Sequence, residues 1–242
     1  MRKYLNYNVY AIFIMQLFFT SSCEINNKNE GSGNVITQRR AVQSFDKINV
    51  DGILTVYIEQ DEFYKVEVRT DDNLQYIVNI ENENNELIVS TNPNEEFDAS
   101  KMDVFITCPD IKEIVLYGVN ALYCKERLIL NATDIEKKNT GFMQFNAVLD
   151  ELNIDTDGVG DLELIGKSQD LTIVNDMVGN IDAFEFKAFN VYLTNSGTGT
   201  VEIYASNLLD VDLFGVGDVY CKGNPQRIIK NSDGIGRLYI VE

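Results

Sequence analysis

The sequence predicts an all-β protein folded as a right-handed parallel β-helix (β-solenoid) with rungs of about 19 residues. Glycine corners recur at intervals of 18 to 21 residues between residues 111 and 242, and proline occurs only 3 times in the chain. A repeat of this length is too short to fold alone, so the rungs must bury their apolar faces by stacking on their neighbours. The corners are Gly118-Val119-Asn120-Ala121, Thr140-Gly141, Gly158-Val159-Gly160-Asp161, Met177-Val178-Gly179-Asn180, Gly197-Thr198-Gly199-Thr200, Gly215-Val216-Gly217-Asp218 and Gly234-Ile235-Gly236-Arg237.

Each corner lies between two segments in which apolar and polar residues alternate, as in Leu152-Asn153-Ile154-Asp155 and Leu162-Glu163-Leu164. Alternation with a period of two is typical of strands with one buried face. Connecting pieces such as Ser168-Gln169-Asp170 leave room for a third short side, and parallel crossovers are right-handed. The alignment predicts four inward side chains: Leu164, Ile173, Leu193 and Leu213.

The chain divides into four parts. Residues 1–22 are basic at Arg2 and Lys3, apolar over residues 9–19 and end in small residues, which is typical of a cleaved secretory signal. Cys23 follows directly and resembles the lipidated cysteine of a bacterial lipobox, so we expect a lipid anchor in the outer membrane. Residues 23–33 are polar and predict a flexible tether. Residues 34–110 contain less regular strands, which form either an earlier part of the solenoid or a β cap, and residues 111–242 form the regular repeats.

The composition limits the function. The chain has 20 Lys and Arg against 38 Asp and Glu, and removing residues 1–22, with two basic and no acidic residues, brings the net charge to −20. Such a surface repels nucleic acid and acidic polysaccharides. Histidine is absent, which removes the commonest general base, and the sequence contains neither a Gly-x-Ser-x-Gly elbow nor zinc-binding cysteine spacing. We therefore expect a protein that is not an enzyme.

Several segments resemble a known family. Gly31-Ser32-Gly33-Asn34-Val35, Phe45-Asp46-Lys47-Ile48 and Val56-Tyr57-Ile58-Glu59-Gln60, followed by serial Gly-x-Gly-Asp corners, look like the putative auto-transporter adhesin family with a head GIN domain. This family occurs largely among Bacteroidetes envelope lipoproteins, and the resemblance covers residues 31–242. It implies a β-helical, adhesin-like protein of the cell envelope, on the periplasmic or the outer side, and supplies no catalytic residues.

One acidic cluster is a candidate cation site. In the aligned rungs Asp157 and Asp176 lie on adjacent rungs, with Asp155 and Glu136 one strand step away. Calcium favours such groups of oxygen ligands, so these four residues are a candidate Ca²⁺ site. The alternative is that Lys138 partly neutralises Asp157 and the acidic side chains are solvated.

Four tyrosines are candidates for a binding surface, because they alternate with inward aliphatic residues: Tyr192, Tyr204, Tyr220 and Tyr239. Outward tyrosines can stack on sugars, which makes a glycan or an envelope protein the expected partner. The alternatives are a carbohydrate-active enzyme on the same scaffold and a structural envelope component. The unpaired edge of the last rung, ending at Glu242, also permits self-association.

Overall fold

The computed structural model describes residues 28–242 of the chain, which form strands and one short 3-10 helix, Asp72–Leu74. Within this part of the chain no helix is long and apolar enough to cross a bilayer. The strands are β1 (Asn29–Glu30), β2 (Val35–Arg40), β3 (Lys47–Gln60), β4 (Lys65–Asp71), β5 (Val78–Glu83), β6 (Glu86–Thr91), β7 (Phe97–Asp98), β8 (Met102–Cys108), β9 (Glu113–Ile129), β10 (Ala132–Lys137), β11 (Met143–Val148), β12 (Glu151–Thr156), β13 (Leu162–Asn175), β14 (Ile181–Asn195), β15 (Val201–Leu213), β16 (Val219–Lys222), β17 (Arg227–Ser232) and β18 (Leu238–Ile240).

The second half of the chain is a parallel β-solenoid, as the repeats predict. Strands β10, β12, β13, β14 and β15 pair in parallel, in this order, through the flat side that precedes each corner. The solenoid has about 7 turns of roughly 19 residues, which confirms the predicted fold class. One column of paired residues shows the register: Ile114, Ile135, Ile154, Ile173, Leu193 and Val211.

The short third side lies at the glycine corner. Strand β13 runs without a break through Ser168-Gln169-Asp170, the piece that the sequence assigns to a connection. Single-residue parallel bridges instead join the corners of successive rungs, for example Val159 to Val178. Each rung therefore consists of two flat sides and one corner that is one bridge wide.

The interior of the two flat sides is apolar. Leu164 and Ile173 have 0% of their surface exposed, and Leu193 and Leu213 have 2% and 1%. These four residues point inward as predicted. A single apolar cluster runs from Phe45 to Cys221, so the irregular and the regular halves share one core.

The first half contains strands of both directions. β3 pairs in parallel with β9, β6 and β8, whereas β4 pairs antiparallel with β2 and β8. β5 and β6 form an antiparallel hairpin whose two turn residues, Asn84 and Asn85, have φ of 51° and 66°. Such φ values are those of a tight two-residue hairpin turn. The boundary between residues 110 and 111 stays a prediction.

Residues 28–33, the second half of the expected flexible tether, are attached to the fold. β1 pairs in parallel with β7, and the Gly33 N–H donates to Asp71 Oδ1 at 2.8 Å. The Ser100 N–H donates to Asp71 Oδ2 at 2.7 Å. Burial would raise the pKa of Asp71, but the hydrogen bonds from Ser100 and Gly33 outweigh it and leave that pKa lowered.

Candidate functional site

One outward column on the flat side that follows each corner crosses the molecule from end to end. Its residues point outward because they alternate with inward residues such as Leu162 and Leu164. Its middle is polar and acidic, and both of its ends are aromatic. We call these residues the outer column: Phe105, Tyr57, Tyr123, Gln144, Glu163, Asp182, Glu202, Tyr220 and Tyr239.

The aromatic side chains at the ends of the outer column stack on one another. The ring centroids of Tyr57 and Phe105 are 5.0 Å apart, and those of Tyr57 and Tyr123 are 5.5 Å apart. At the other end Tyr220 and Tyr239 stack at 5.0 Å with an interplanar angle of 15°. These separations follow the strand spacing of about 4.8 Å. Stacked rings turn their faces to each other, so their edges and hydroxyl groups face the surroundings.

Between the aromatic ends lies an acidic trough, a groove of about 490 Å³. Glu163, Asp182 and Glu202 occupy successive rungs along it. Among residues 28–242 none of these three carboxylates forms an ion pair, and Glu163 accepts a hydrogen bond from Gln144 Nε2 at 2.7 Å. Carboxylates about 4.8 Å apart repel each other. The acidic trough therefore favours a ligand that brings hydrogen-bond donors or positive charge.

The second wall of the acidic trough consists of Asp161, Asn180 and Thr200, and its side chains connect successive rungs. The Asn180 N–H donates to Asp161 Oδ1 at 2.8 Å, and the Thr200 N–H donates to Asn180 Oδ1 at 2.9 Å. Asp161 and Asn180 thus each accept, through one side-chain oxygen, a hydrogen bond from a backbone N–H of the next rung. Of the two walls, the outer column has more polar groups free for a ligand.

The structure brings three of the four predicted tyrosines together. Tyr220 and Tyr239 belong to the outer column, and Tyr204 lies on the same flat side, with Lys187 Nζ at 4.5 Å from its ring centroid. Tyr192 lies on the other flat side, where it pairs with Thr172 and Asp210, and 39% of its surface is exposed. The four tyrosines therefore do not form one surface. The binding role of each stays a prediction.

The residues of the candidate cation site are near each other, but a lysine contacts two of them. Glu136 and Asp155 are register partners, and Lys138 Nζ lies 2.8 Å from Glu136 and 3.7 Å from Asp155. The hydrogen bond to Glu136 raises the pKa of Lys138. Lys138 thus pairs with these two carboxylates, where the sequence suggested Asp157.

The remaining two residues of that site, Asp157 and Asp176, are exposed and lie on adjacent rungs. Within residues 28–242 no group of three or more His, Cys, Asp and Glu side chains is arranged to hold a metal ion. The Ca²⁺ site stays a prediction. Thermal unfolding with calcium and with a chelator tests it.

The cysteines of the described chain are core residues. Cys108, Cys124 and Cys221 are buried and free. Burial raises the pKa of Cys108 to about 12 and that of Cys221 to about 11, so these thiols stay protonated at neutral pH. Cys23, the predicted lipidation site, lies outside the described residues.

A buried polar column behind the glycine corners is a feature that the sequence analysis missed. Asn175 Nδ2 donates to Asn195 Oδ1 at 2.7 Å, and Thr156 Oγ1 donates to Asn175 Oδ1 at 2.8 Å. The next residue of this column is Lys137, which is 0% exposed and whose Nζ has no hydrogen-bond partner among the described residues. The alternation of Thr133, Ile135 and Lys137 was the signal that places this lysine inside. We call Lys137, Thr156, Asn175 and Asn195 the inner corner column.

Solved structures share this architecture. A putative adhesin from Bacteroides fragilis is 26% identical, with a TM-score of 0.84 over 88% of this chain and 99% of that chain. A putative adhesin and a putative lipid binding protein, both from Parabacteroides distasonis, are 22% and 20% identical, with TM-scores of 0.68 and 0.65. They cover 88% and 89% of this chain, each over 100% of its own length, and at these identities they show the fold alone.

The family comparison agrees with the resemblance noted in the sequence. No functionally curated protein matches the chain. Residues 44–225 match the family model described as "Putative auto-transporter adhesin, head GIN domain", which spans most of the solenoid and part of the irregular half. The chain belongs to this family of putative auto-transporter adhesins with a head GIN domain.

Proposed function

We propose that the protein is a lipid-anchored, adhesin-like binding protein of the cell envelope that presents the acidic trough to a glycan or an envelope protein, without catalysis. The observation that carries this proposal is the outer column, which has in its middle three carboxylates without an ion pair among residues 28–242 and stacked aromatic rings at its ends. Its membership in an adhesin family supports the same class of function.

The anchor is proposed from the sequence. Cys23 follows a basic, apolar and small-residue segment, and the fold begins only a few residues later, at β1. A lipid on Cys23 would hold the solenoid close to the outer membrane. Palmitate labelling of the wild type and of Cys23→Ala tests this, and we expect label on the wild type alone. Equal labelling of both proteins would contradict the anchor.

The arrangement of the carboxylates supports binding over hydrolysis. A glycosidase places an acid and a base on opposite sides of the scissile bond, in environments that separate their pKa values. Glu163, Asp182 and Glu202 instead lie side by side in one column of one sheet, and so on one side of any ligand in the acidic trough. A carbohydrate-active enzyme remains the second candidate. Release of reducing ends from neutral polysaccharides would establish it.

The binding proposal is tested by capture with the chain from residue 23 carrying Cys23→Ser, which retains every described residue. Neutral and amine-bearing glycans and detergent-solubilised envelope proteins are offered to the wild type and to Glu163→Gln/Asp182→Asn/Glu202→Gln. A control triple variant removes the same charge elsewhere, at three exposed carboxylates: Glu126→Gln, Asp150→Asn and Glu242→Gln. We expect the trough variant to lose its ligand and the control to retain it. Equal capture by all three proteins would contradict a role for the acidic trough.

A further inference from the structure

An apolar ridge stands on the outer edge of the glycine corners. Val159 and Val178 are 50% and 55% exposed, and Ile235 is 77% exposed. The aligned corners cover eight rungs, so the ridge is roughly 34 Å long at about 4.8 Å per rung. We call these residues the corner ridge: Ile53, Val119, Thr140, Val159, Val178, Thr198, Val216 and Ile235.

The glycines of the corners leave this ridge uncovered. A Cβ added to Gly179, at φ of 152°, would lie 2.0 Å from the Gly160 carbonyl oxygen of the previous rung, and one added to Gly160 would lie 2.2 Å from that of Gly141. Side chains are therefore excluded beside Val178. The ridge residues are therefore the ones whose side chains project from the corner between the glycines, and they determine whether its outer surface is polar or apolar.

The fold explains the branching of the ridge residues but does not explain why most of them are apolar. All eight are β-branched, which suits a single-residue bridge between rungs. Thr140 and Thr198 form the same bridges as the valines, so the position also accepts a β-branched residue with a hydroxyl group. Six rungs nevertheless present a valine or isoleucine that is at least half exposed, and exposed apolar patches of this kind often bind a partner.

The borders of the corner ridge are acidic. Two residues before the ridge position stand four exposed aspartates: Asp51, Asp157, Asp176 and Asp233. Two residues after it stand Asp161 and Asp218. The positive residues at these positions are Lys138, which contacts Glu136, and Arg237. A complementary partner therefore carries an apolar stripe bordered by positive charge.

The acidic borders favour some binding partners of the corner ridge over others. A second copy would place acidic borders against acidic borders, which repel each other. An anionic lipid surface is repelled in the same way. An amphipathic α-helix repeats its apolar face every turn of about 5.4 Å, close to the rung spacing of about 4.8 Å, so its side chains can lie along successive rungs.

We propose that the corner ridge docks a cationic amphipathic helical segment of a partner protein or peptide. This inference goes beyond the proposed function, because the corner ridge is a surface separate from the acidic trough. The apolar face of the helix lies along Val119, Val159 and Val178, and its lysine and arginine side chains reach the aspartates on both borders.

The test measures fluorescence anisotropy of a labelled 18-residue Leu/Lys amphipathic peptide with the Cys23→Ser chain. We expect saturable binding that weakens with salt, and at least a tenfold loss in Val159→Thr/Val178→Thr, which keeps the net charge and the β-branching. The matched control is Val35→Thr/Val174→Thr, at two exposed valines away from the ridge that are 38% and 40% exposed. The control should bind like the wild type, and a Leu/Glu peptide should not bind.

Equal affinity of the ridge variant and the control would overturn the proposal, because binding would then depend on net charge alone. Equal binding of the Leu/Glu peptide would overturn it too, as would a dimer that dissociates in the ridge variant, since the occupant would then be a second copy. If the peptide fails to bind while the acidic trough still captures its ligand, the ridge proposal falls and the proposed function stands.

Discussion

The glycine corner and the flat sides of the solenoid follow opposite rules of burial. On a flat side Leu164 is buried and its neighbour Glu163 faces outward. At this corner Asn175 and Met177 are buried, with 1% and 0% of their surface exposed, whereas Val178 is 55% exposed. The inner corner column thus places polar side chains inside, and the corner ridge places apolar side chains outside.

The backbone explains the inner half of this reversal. A tight corner turns carbonyl groups toward the interior, where they need donors. Asn139 Nδ2 donates to the Asn120 carbonyl at 2.8 Å, and Asn195 Nδ2 donates to the Gly217 carbonyl at 3.3 Å. The apolar side chains on the outside of the corner cannot donate hydrogen bonds to the backbone in this way, and we therefore propose a binding role for them.

The largest expected effect concerns the flat sides. Leu164→Ala leaves a cavity in the apolar interior and should lower the free energy of unfolding by about 2–5 kcal/mol. Glu163→Ala, one residue away and facing outward, should change it by less than about 0.5 kcal/mol. Urea denaturation checks both. The reverse order would mean that the strand is one residue out of register.

The next effect concerns the interior of the corner. Asn175→Ala removes the partner of Thr156 Oγ1 and of Asn195 Oδ1 and should cost about 1–3 kcal/mol of unfolding free energy. Asn131→Ala, at an exposed asparagine, serves as the control. If both variants unfold at the wild-type urea concentration, the inner corner column does not stabilise the fold.

Lys137 makes the interior of the corner sensitive to pH. Burial lowers the pKa of Lys137, and the negative charge of Asp161 opposes this shift only in part. Burying an amine without a hydrogen-bond partner costs folding free energy, so Lys137→Met should stabilise the protein by about 1 kcal/mol near neutral pH.

The pH dependence has a definite sign. Between the lowered folded-state pKa and the unfolded value of 10.5, the unfolded chain binds more protons, so this group makes the wild type more stable as the pH rises. The advantage of Lys137→Met should therefore shrink through that window. The difference between the two proteins isolates this group from the exposed lysines. An advantage that grows with pH would contradict a lowered pKa.

The flat sides were predictable from the sequence because two simple signals agree there. The corner glycines set the register, and alternation assigns Leu164, Ile173 and Leu193 to the interior. The register then places Glu163, Asp182 and Glu202 side by side, although their role as the wall of a groove became clear only from the structure.

The corner and the irregular half were harder to predict. An inward lysine at Lys137 contradicts the usual preference of lysine for the surface. Stacking of Tyr220 on Tyr239 depends on ring orientation, which alternation does not set. In the irregular half, Asn84-Asn85 between two strands was a signal of a hairpin, but the parallel and antiparallel pairing of β3 and β4 depends on contacts distant in sequence.

The smallest expected effect belongs to the outside of the corner, and it tests the reversal most directly. The measurement is urea denaturation of Val159→Thr/Val178→Thr beside Asn175→Ala, which compares outer and inner corner residues: Val178 is on the rung of Asn175, and Val159 is on the rung before it. We predict that the double variant unfolds within about 0.5 kcal/mol of the wild type, because threonine keeps the branching and these side chains are about half exposed, whereas Asn175→Ala loses about 1–3 kcal/mol. A double variant that loses as much as Asn175→Ala would show that the corner ridge is part of what holds the fold together, and would contradict its assignment as a free binding surface.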